Sequence, residues 1–423
     1  MQRYDAYKES GVEWIGEIPD GWEISRFKAL FTERDERAFD AVPEELLSVS
    51  ENYGIDYRRN RIGSADTLVR AETLNGYKRC YPGDLVMNIM LAWKGAQAVS
   101  MHQGVVSPSY AVYQSISTDV CSRYFHYLLR TDLYKERFKR YSTGIIDSRL
   151  RLYPDVFLGM DTILPPKPDQ RAIADYLDNK TTEIDALVED CEREIELLQE
   201  YRKAVISEAV TKGLDPTVPM KDSGIDWIGE IPHGWRAEKL KFHMILINGR
   251  AYKQEELLDS GKYRVLRVGN FNTNDSWYYS DMELDEKQYC QSGDLLYLWA
   301  TTFGPRIWYG EKAIFHYHIW KVQLGEQLDK RYTYYVLYSQ ASWQELQSHG
   351  STMVHVTKAN MEESLIPIPP LGEQIAIAEF LDAKTSEVDE LIADKRTMVD
   401  KLHEYRKSLI SEAVTGKFKV PGV

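Results

Sequence analysis

Two stretches of this chain are versions of one segment. LPPKPDQRAIADYLDNKTTEIDALV begins at Leu164 and IPPLGEQIAIAEFLDAKTSEVDELI at Ile368, an offset of 204 residues. The match runs on to EYRKAVISEAVT (Glu200–Thr211) and EYRKSLISEAVT (Glu404–Thr415). Each opens on a Pro-Pro pair, which cannot continue a helix and so marks the approach to one. Leu177, Thr181, Ile184, Val188, Cys191, Ile195, Leu198, Arg202, Val205 and Ala209 then follow at alternating spacings of four and three. The second copy reads Leu381, Thr385, Val388, Ile392, Lys395, Val399, Leu402, Arg406, Leu409 and Ala413. A mostly apolar heptad seam held for about five repeats predicts two long helices. At about 1.5 Å per residue, 40 residues make a rod of roughly 60 Å. Gly213 and Gly416 stand where such helices stop. The stripe must be buried, and the nearest available partner is the other copy.

A second repeat precedes each helix. SGVEWIGEIPDGW starts at Ser10 and SGIDWIGEIPHGW at Ser223. The chain therefore reads block, helix, block, helix: 1–165, 166–213, 214–369 and 370–423. The blocks are rich in Tyr, Trp and β-branched residues. YPGDLVMNIMLAW (Tyr81–Trp93) and QSGDLLYLWATTF (Gln291–Phe303) share a Gly-Asp turn entering a hydrophobic strand, and YAVYQSIS (Tyr110–Ser117) and HIWKVQLG (His318–Gly325) read as later strands. Helices are expected at Ser122–Arg140 and Lys330–Ser348. The fold class is α+β, an internal duplication whose scaffold repeats while the content of its blocks diverges.

Net charge is −13, which by itself disfavours a polyanionic partner. The acid is concentrated, however: residues 166–213 carry twelve Asp or Glu against seven Lys or Arg, while residues 1–165 carry 23 against 21. A basic face on the first block remains open. Cys80, Cys121, Cys191 and Cys290 form neither a CxxC pair nor a disulfide framework. With no run of 18 apolar residues and no signal-like N-terminus, a reduced cytoplasmic protein, away from membranes, is expected.

Enzyme motifs are missing. There is no Gly-rich cofactor loop with an Asn/Asp-Pro-Pro-aromatic partner, and no GxxxxGK[ST] phosphate loop. Asp169, Asp178 and Lys180 imitate a nuclease spacing, as do Glu373, Asp382 and Lys384. They fall in the first turns of the helices, where acids are favoured anyway. His316 and His318 share one strand face without a third ligand at useful spacing, and read as polar strand residues. No catalytic, cofactor-binding or metal-binding residue is assigned.

The ordered set WIGEIPxGW, PPxxxQxxIAxxLDxKTxEID and EYRKxxISEAVTxG, all present twice, resembles the specificity subunit of Type I DNA restriction-modification systems over nearly the whole chain. That resemblance implies two target recognition domains and two spacer helices packed as an antiparallel coiled coil with pseudo-twofold symmetry. It implies a subunit without catalysis of its own, serving DNA methylation and phage defence. Its partners would be double-stranded DNA, two methyltransferase subunits and restriction subunits. S-adenosylmethionine, ATP and Mg would belong to those partners, and this chain would hold no cofactor. Two differing blocks imply an asymmetric bipartite target with a fixed gap, about one turn of DNA between readers. Two other readings are a coiled-coil scaffold whose blocks bind a non-DNA partner, and a fused restriction enzyme. The absent motifs count against the latter.

Base reading needs Arg, Lys, Asn or Gln, and phosphate holding needs cations, hydroxyls or backbone N–H. In the first block the candidates are Arg58, Arg59, Asn60 and Arg61 in DYRRNRIGS. Lys139, Arg140, Ser142 and Thr143 follow in KERFKRYSTG, beside Lys135 and Arg137, and then Arg149 and Arg151. In the second they are Arg250 and Lys253 beside Tyr252, Arg267, Asn270 and Asn272 with Asn274, then Arg306, Ser351, Thr352, His355 and Lys358. STG at Ser142–Gly144 and GST at Gly350–Thr352 occupy like places and are candidate phosphate loops. Trp14, Ile15, Ile18 and Trp22 are expected to pack the lead-in against its own domain or a helix end.

Overall fold

A computed structural model describes residues 2–39, 45–60, 74–272, 274–300, 302–347 and 357–423. The chain forms two compact units, Met1–Cys191 with Thr397–Val423, and Glu192–Arg396. The block 1–165 lies in the first unit and 214–369 in the second. Each unit also takes part of both long helices, Lys167–Lys212 and Leu371–Val414.

Most seam residues read from the heptads are withdrawn from solvent, and near the helix ends Ile173, Ile206, Val210, Ile377 and Val414 beside them are buried too. Leu177, Thr181, Ile184, Val188, Cys191 and Ala209 are buried on the first helix, as are Leu381, Thr385, Val388, Ile392, Leu409 and Ala413 on the second. Ile195, Leu198, Val399 and Leu402 are half-buried. The helices run antiparallel. In the first unit Arg406 pairs with Asp185 at 2.9 Å. In the second Arg202 pairs with Asp389 at 3.0 Å, and Lys395 pairs with Glu194.

The first unit is built on an antiparallel four-stranded sheet ordered Phe31–Glu33, Ala111–Ser115, Leu85–Met87, Gln97–Val99. The helices Ser122–Leu128 and Asp132–Tyr141 cover it. The single helix expected over 122–140 is broken because the Thr131 hydroxyl donates to the Leu128 carbonyl (2.7 Å) and Asp132 begins a new one. The strand read over Tyr81–Trp93 is also shorter. The Asn88 side chain accepts from the Met90 N–H (3.1 Å) and turns the chain out of the sheet. The core gathers Trp22, Phe27, Phe31, Tyr124, Phe125, Tyr134 and Phe157, with Leu409, Ala413, Val414, Phe418 and Val420 from the end of the chain. Gln2 and Lys419 form a β-bridge.

The second unit repeats that sheet as Met244–Asn248, Ile319–Leu324, Leu295–Ala300, Thr302–Ile307. The helix Lys330–Gln347 lies in the corresponding place. It adds a second four-stranded sheet, Tyr278–Ser280, Tyr263–Leu266, Ala313–Phe315, Tyr289–Cys290, with its central pair parallel.

Candidate nucleic-acid interface

The repeated motifs build the mounts that fix each domain on its helices. The lead-in phrase forms a hairpin, Tyr7–Glu9 with Glu17–Pro19 and Met220–Asp222 with Glu230–Pro232. It delivers Trp22 and Trp235, each 1% exposed. Trp22 Nε1 donates to Asp169 (3.3 Å) and Trp235 Nε1 to Glu373 (2.8 Å), the first acids of the two long helices. The same indoles lie on the opposite helix ends. A Cβ on Gly416 would stand 2.9 Å from Trp22 Cζ3, and one on Gly213 3.1 Å from Trp235 Cζ2. Each tryptophan thus holds the start of one helix to the end of the other.

The glutamine of the PPxxxQ motif does a second job twice. Gln170 Nε2 donates to the Pro165 and Asp119 carbonyls and its oxygen accepts from the Cys121 N–H. Gln374 does the same with Pro369, Gln327 and Asp329. The nuclease-like carboxylates belong to these mounts too. Asp178 accepts from Arg123 (2.5 Å) and the Tyr127 hydroxyl (2.7 Å), and Asp382 from Arg331 (2.9 Å) and the Tyr335 hydroxyl (2.8 Å). Among the described residues no cluster of His, Cys, Asp and Glu is arranged to hold a metal.

The candidate residues sort by what already occupies them. Arg58, Arg59 and Asn60 form a 3-10 turn. Arg59 lies over the Tyr57 ring (4.9 Å) and pairs with Glu45, and Asn60 donates to Asp56 (3.1 Å). Lys139 is held between Asp147 (2.8 Å) and the Trp93 ring (4.8 Å). Lys135 pairs with Asp132 (2.7 Å), and Arg137 covers Trp14. The Ser142 hydroxyl is spent on its own helix, donating to the Phe138 carbonyl at 2.6 Å. Thr143 and Arg151 exchange backbone hydrogen bonds, each 3.0 Å, and close a loop between them. Arg140, Arg149 and Arg151 are exposed and have no ion pair among the described residues.

In the second unit Arg250 pairs with Glu256 (2.8 Å) and Lys253 sits 4.0 Å from Glu255. Arg267 stacks over Tyr278 at 4.3 Å. Asn270 builds its own loop, donating to the Asn274 and Ser276 carbonyls. Asn272 donates to Thr302 (3.0 Å), Arg306 to the Pro305 carbonyl, and Lys358 pairs with Glu362 along its helix. Arg61, Ser351, Thr352 and His355 lie outside the described residues.

Sequence reasoning missed an aromatic ladder in the second unit. Tyr297 stacks on Trp320, Trp320 on Trp299, and Trp299 meets Tyr317 and His318, with ring centres 5.1–5.9 Å apart. His316 lies 4.8 Å from His318 and stacks on Tyr252. Burial, then His318 and Arg267, push the His316 imidazole down to about 4, so it is neutral at pH 7. The alternation of aromatics in LLYLWA and FHYHIW was the available signal.

Residues 235–399 match the family described as Type I restriction modification DNA specificity domain. The Type I restriction enzyme MjaVIII specificity subunit of Methanocaldococcus jannaschii is 25% identical over 98% of this chain and 97% of its own length. The EcoBI specificity subunit of Escherichia coli is 26% identical over 46% of this chain and 42% of its own. Among solved structures, a chain from work on complex assembly and conformational transition of the type I R-M system aligns at a TM-score of 0.72. It shares 14% identity, over 94% of this chain and 98% of that one. The HsdS subunit from Thermoanaerobacter tengcongensis aligns at 0.56 with 15% identity, over 96% and 99%.

Proposed function

Because the chain belongs to the specificity subunits of Type I restriction-modification systems, we propose that it reads one asymmetric bipartite DNA target, each block taking one half-site. The observation that carries this reading is the contrast within the duplication. The mounts of Trp22 and Trp235, Gln170 and Gln374, and Asp178 and Asp382 are the same. What they carry is different: an exposed arginine-flanked loop in the first unit, and in the other a second sheet beside a line of aromatic rings running from buried Tyr297 and Trp320 out to exposed Tyr317. A shared mount with unlike faces suits two readers of unlike sequences. The acidic helices need not touch DNA, so the charge of −13 does not oppose the reading.

On this reading the division 1–165, 166–213, 214–369, 370–423 separates readers from spacers, and the paired helices set the gap. The chain carries no catalysis. Two methyltransferase subunits would supply S-adenosylmethionine-dependent methyl transfer, and restriction subunits would supply ATP- and Mg-dependent cleavage. Each unit exposes one Leu and one Tyr at duplicated helix positions, Leu187 with Tyr405 and Leu391 with Tyr201, which suit two copies of one partner. A cytoplasmic setting agrees with four free cysteines and with the lack, among the described residues, of a helix able to cross a membrane.

The experiment is to co-express the chain with its methyltransferase subunit in a host lacking other methylases and map methylated adenines. Methylation confined to one bipartite motif is expected. A complex that forms yet methylates no defined sequence would overturn the reading.

A further inference from the structure

The loop from Thr143 to Arg151 combines two features, an apolar tip and, among the described residues, unpaired arginines around it. Its tip is apolar and nearly bare: Ile145 is 93% exposed and Ile146 54%. A single exposed isoleucine is unremarkable on a protein surface. Here two adjacent β-branched residues stand on a loop flanked by Arg140, Arg149 and Arg151, all exposed and none with an ion pair among the described residues.

The loop is also preformed. Thr143 and Arg151 close its base with two backbone hydrogen bonds, and the Arg149 N–H donates to the Ile146 carbonyl at 2.8 Å. Gly144 lies against the returning limb of the loop, where a Cβ would come within 2.5 Å of the Arg149 carbonyl oxygen. Leu152 is fully buried, and its N–H donates to the Ile89 carbonyl (2.9 Å), anchoring the return. A rigid projection loses little entropy when it binds.

Resting on the reading that this unit contacts DNA, we infer that Ile145 is a wedge that enters a base step of the half-site while Arg140, Arg149 and Arg151 hold the flanking phosphates. Ile145 and Ile146 have no side-chain donor or acceptor, and the Asp147 carboxylate beside them is paired with Lys139 (2.8 Å), so the apolar pair cannot read base edges by hydrogen bonding. A branched apolar tip can unstack a base step, as side chains of this class do in bent duplexes. A protein partner is a poorer fit. It would have to neutralise three free guanidinium groups around an apolar contact, and a duplex does so with the phosphates it already carries.

The test uses the chain in complex with its methyltransferase subunit, with the methylated motif already mapped. Target duplexes carry 2-aminopurine at successive positions of each half-site, leaving out the methylated adenine. With the wild-type complex, fluorescence should rise at one step of one half-site. Ile145→Ala should abolish that rise and weaken binding about 10- to 100-fold, the effect of leaving one such side chain unburied. The salt dependence should stay unchanged. Ile145→Leu should keep both signal and affinity. Arg149→Ala should instead make the salt slope shallower by about one. The position is exposed, so none of these variants threatens folding.

If Ile145→Ala binds and fluoresces like wild type while the motif is still methylated, the wedge is wrong and the DNA-reading function stands. If Ile145→Ala releases the methyltransferase subunit on gel filtration, the loop is a protein contact and the wedge is again wrong. If the wild-type complex binds no DNA with sequence preference, both fall.

Discussion

Gly416 and Gly213 sit at φ +74° and +76°, a backbone region that costs other residues about 1–2 kcal/mol. They are not equivalent. A Cβ on Gly416 would also come 2.6 Å from Pro19 Cδ, whereas on Gly213 the nearest atom is at 3.1 Å. Gly416→Ala should therefore destabilise more than Gly213→Ala, as urea unfolding of each variant would show. A second residue-scale prediction concerns His126, whose imidazole is pushed down to about 4 by burial, then by Arg130. Its contribution to stability is present above the unfolded value near 6.5 and is lost as pH falls from there towards 4, because only the unfolded chain takes up the proton. The corresponding position in the second unit is Tyr334, and His126→Tyr should flatten the acid limb of the stability profile over that window. The packing role of Trp22 was legible in the sequence. Its two contacts were not, because they lie 147 residues away at Asp169 and near the other end of the chain at Gly416.

The long helices show why some elements are readable and others are not. A heptad is a local pattern, and each seam position read from it is buried or half-buried. Leu177 and Leu381 are completely buried, so truncation to Ala at either should cost about 2–5 kcal/mol. Leu402 is half-buried between the helices, and its truncation should cost less than either of these. Thermal or urea unfolding of the three variants would test that order. The pairs Arg406–Asp185 and Arg202–Asp389 join half-buried arginines to exposed carboxylates, and each should contribute about 1 kcal/mol or less in a double-mutant cycle, serving register more than stability. The loop 143–151 is set by backbone hydrogen bonds that leave no residue pattern, and the aromatic ladder by the pairing of two strands, so composition pointed to their arginines and histidines without their arrangement. Asn270 is the clearest case: its side chain had the chemistry to read a base, and its hydrogen bonds are internal.

At the scale of the molecule, replacing residues 1–165 with the matching block of another specificity subunit should change one half of the methylated motif and leave the other half intact. A change in both halves would show that the blocks do not read independently. The division into units has a further consequence, for the order in which the protein is made. The second unit, Glu192–Arg396, is one unbroken stretch. The first is split, and its core is closed by Leu409, Val414, Phe418 and Val420. A ribosome therefore finishes every residue of the second unit while the first, begun earlier, still lacks a wall. At roughly 5–20 residues per second, the 232 residues from 192 to 423 take about 10–50 s. Throughout that interval the seam of the first helix and the aromatic core around Phe27 and Phe157 wait for the last turns of the second helix, and stalled nascent chains should become protease-resistant in the second unit first.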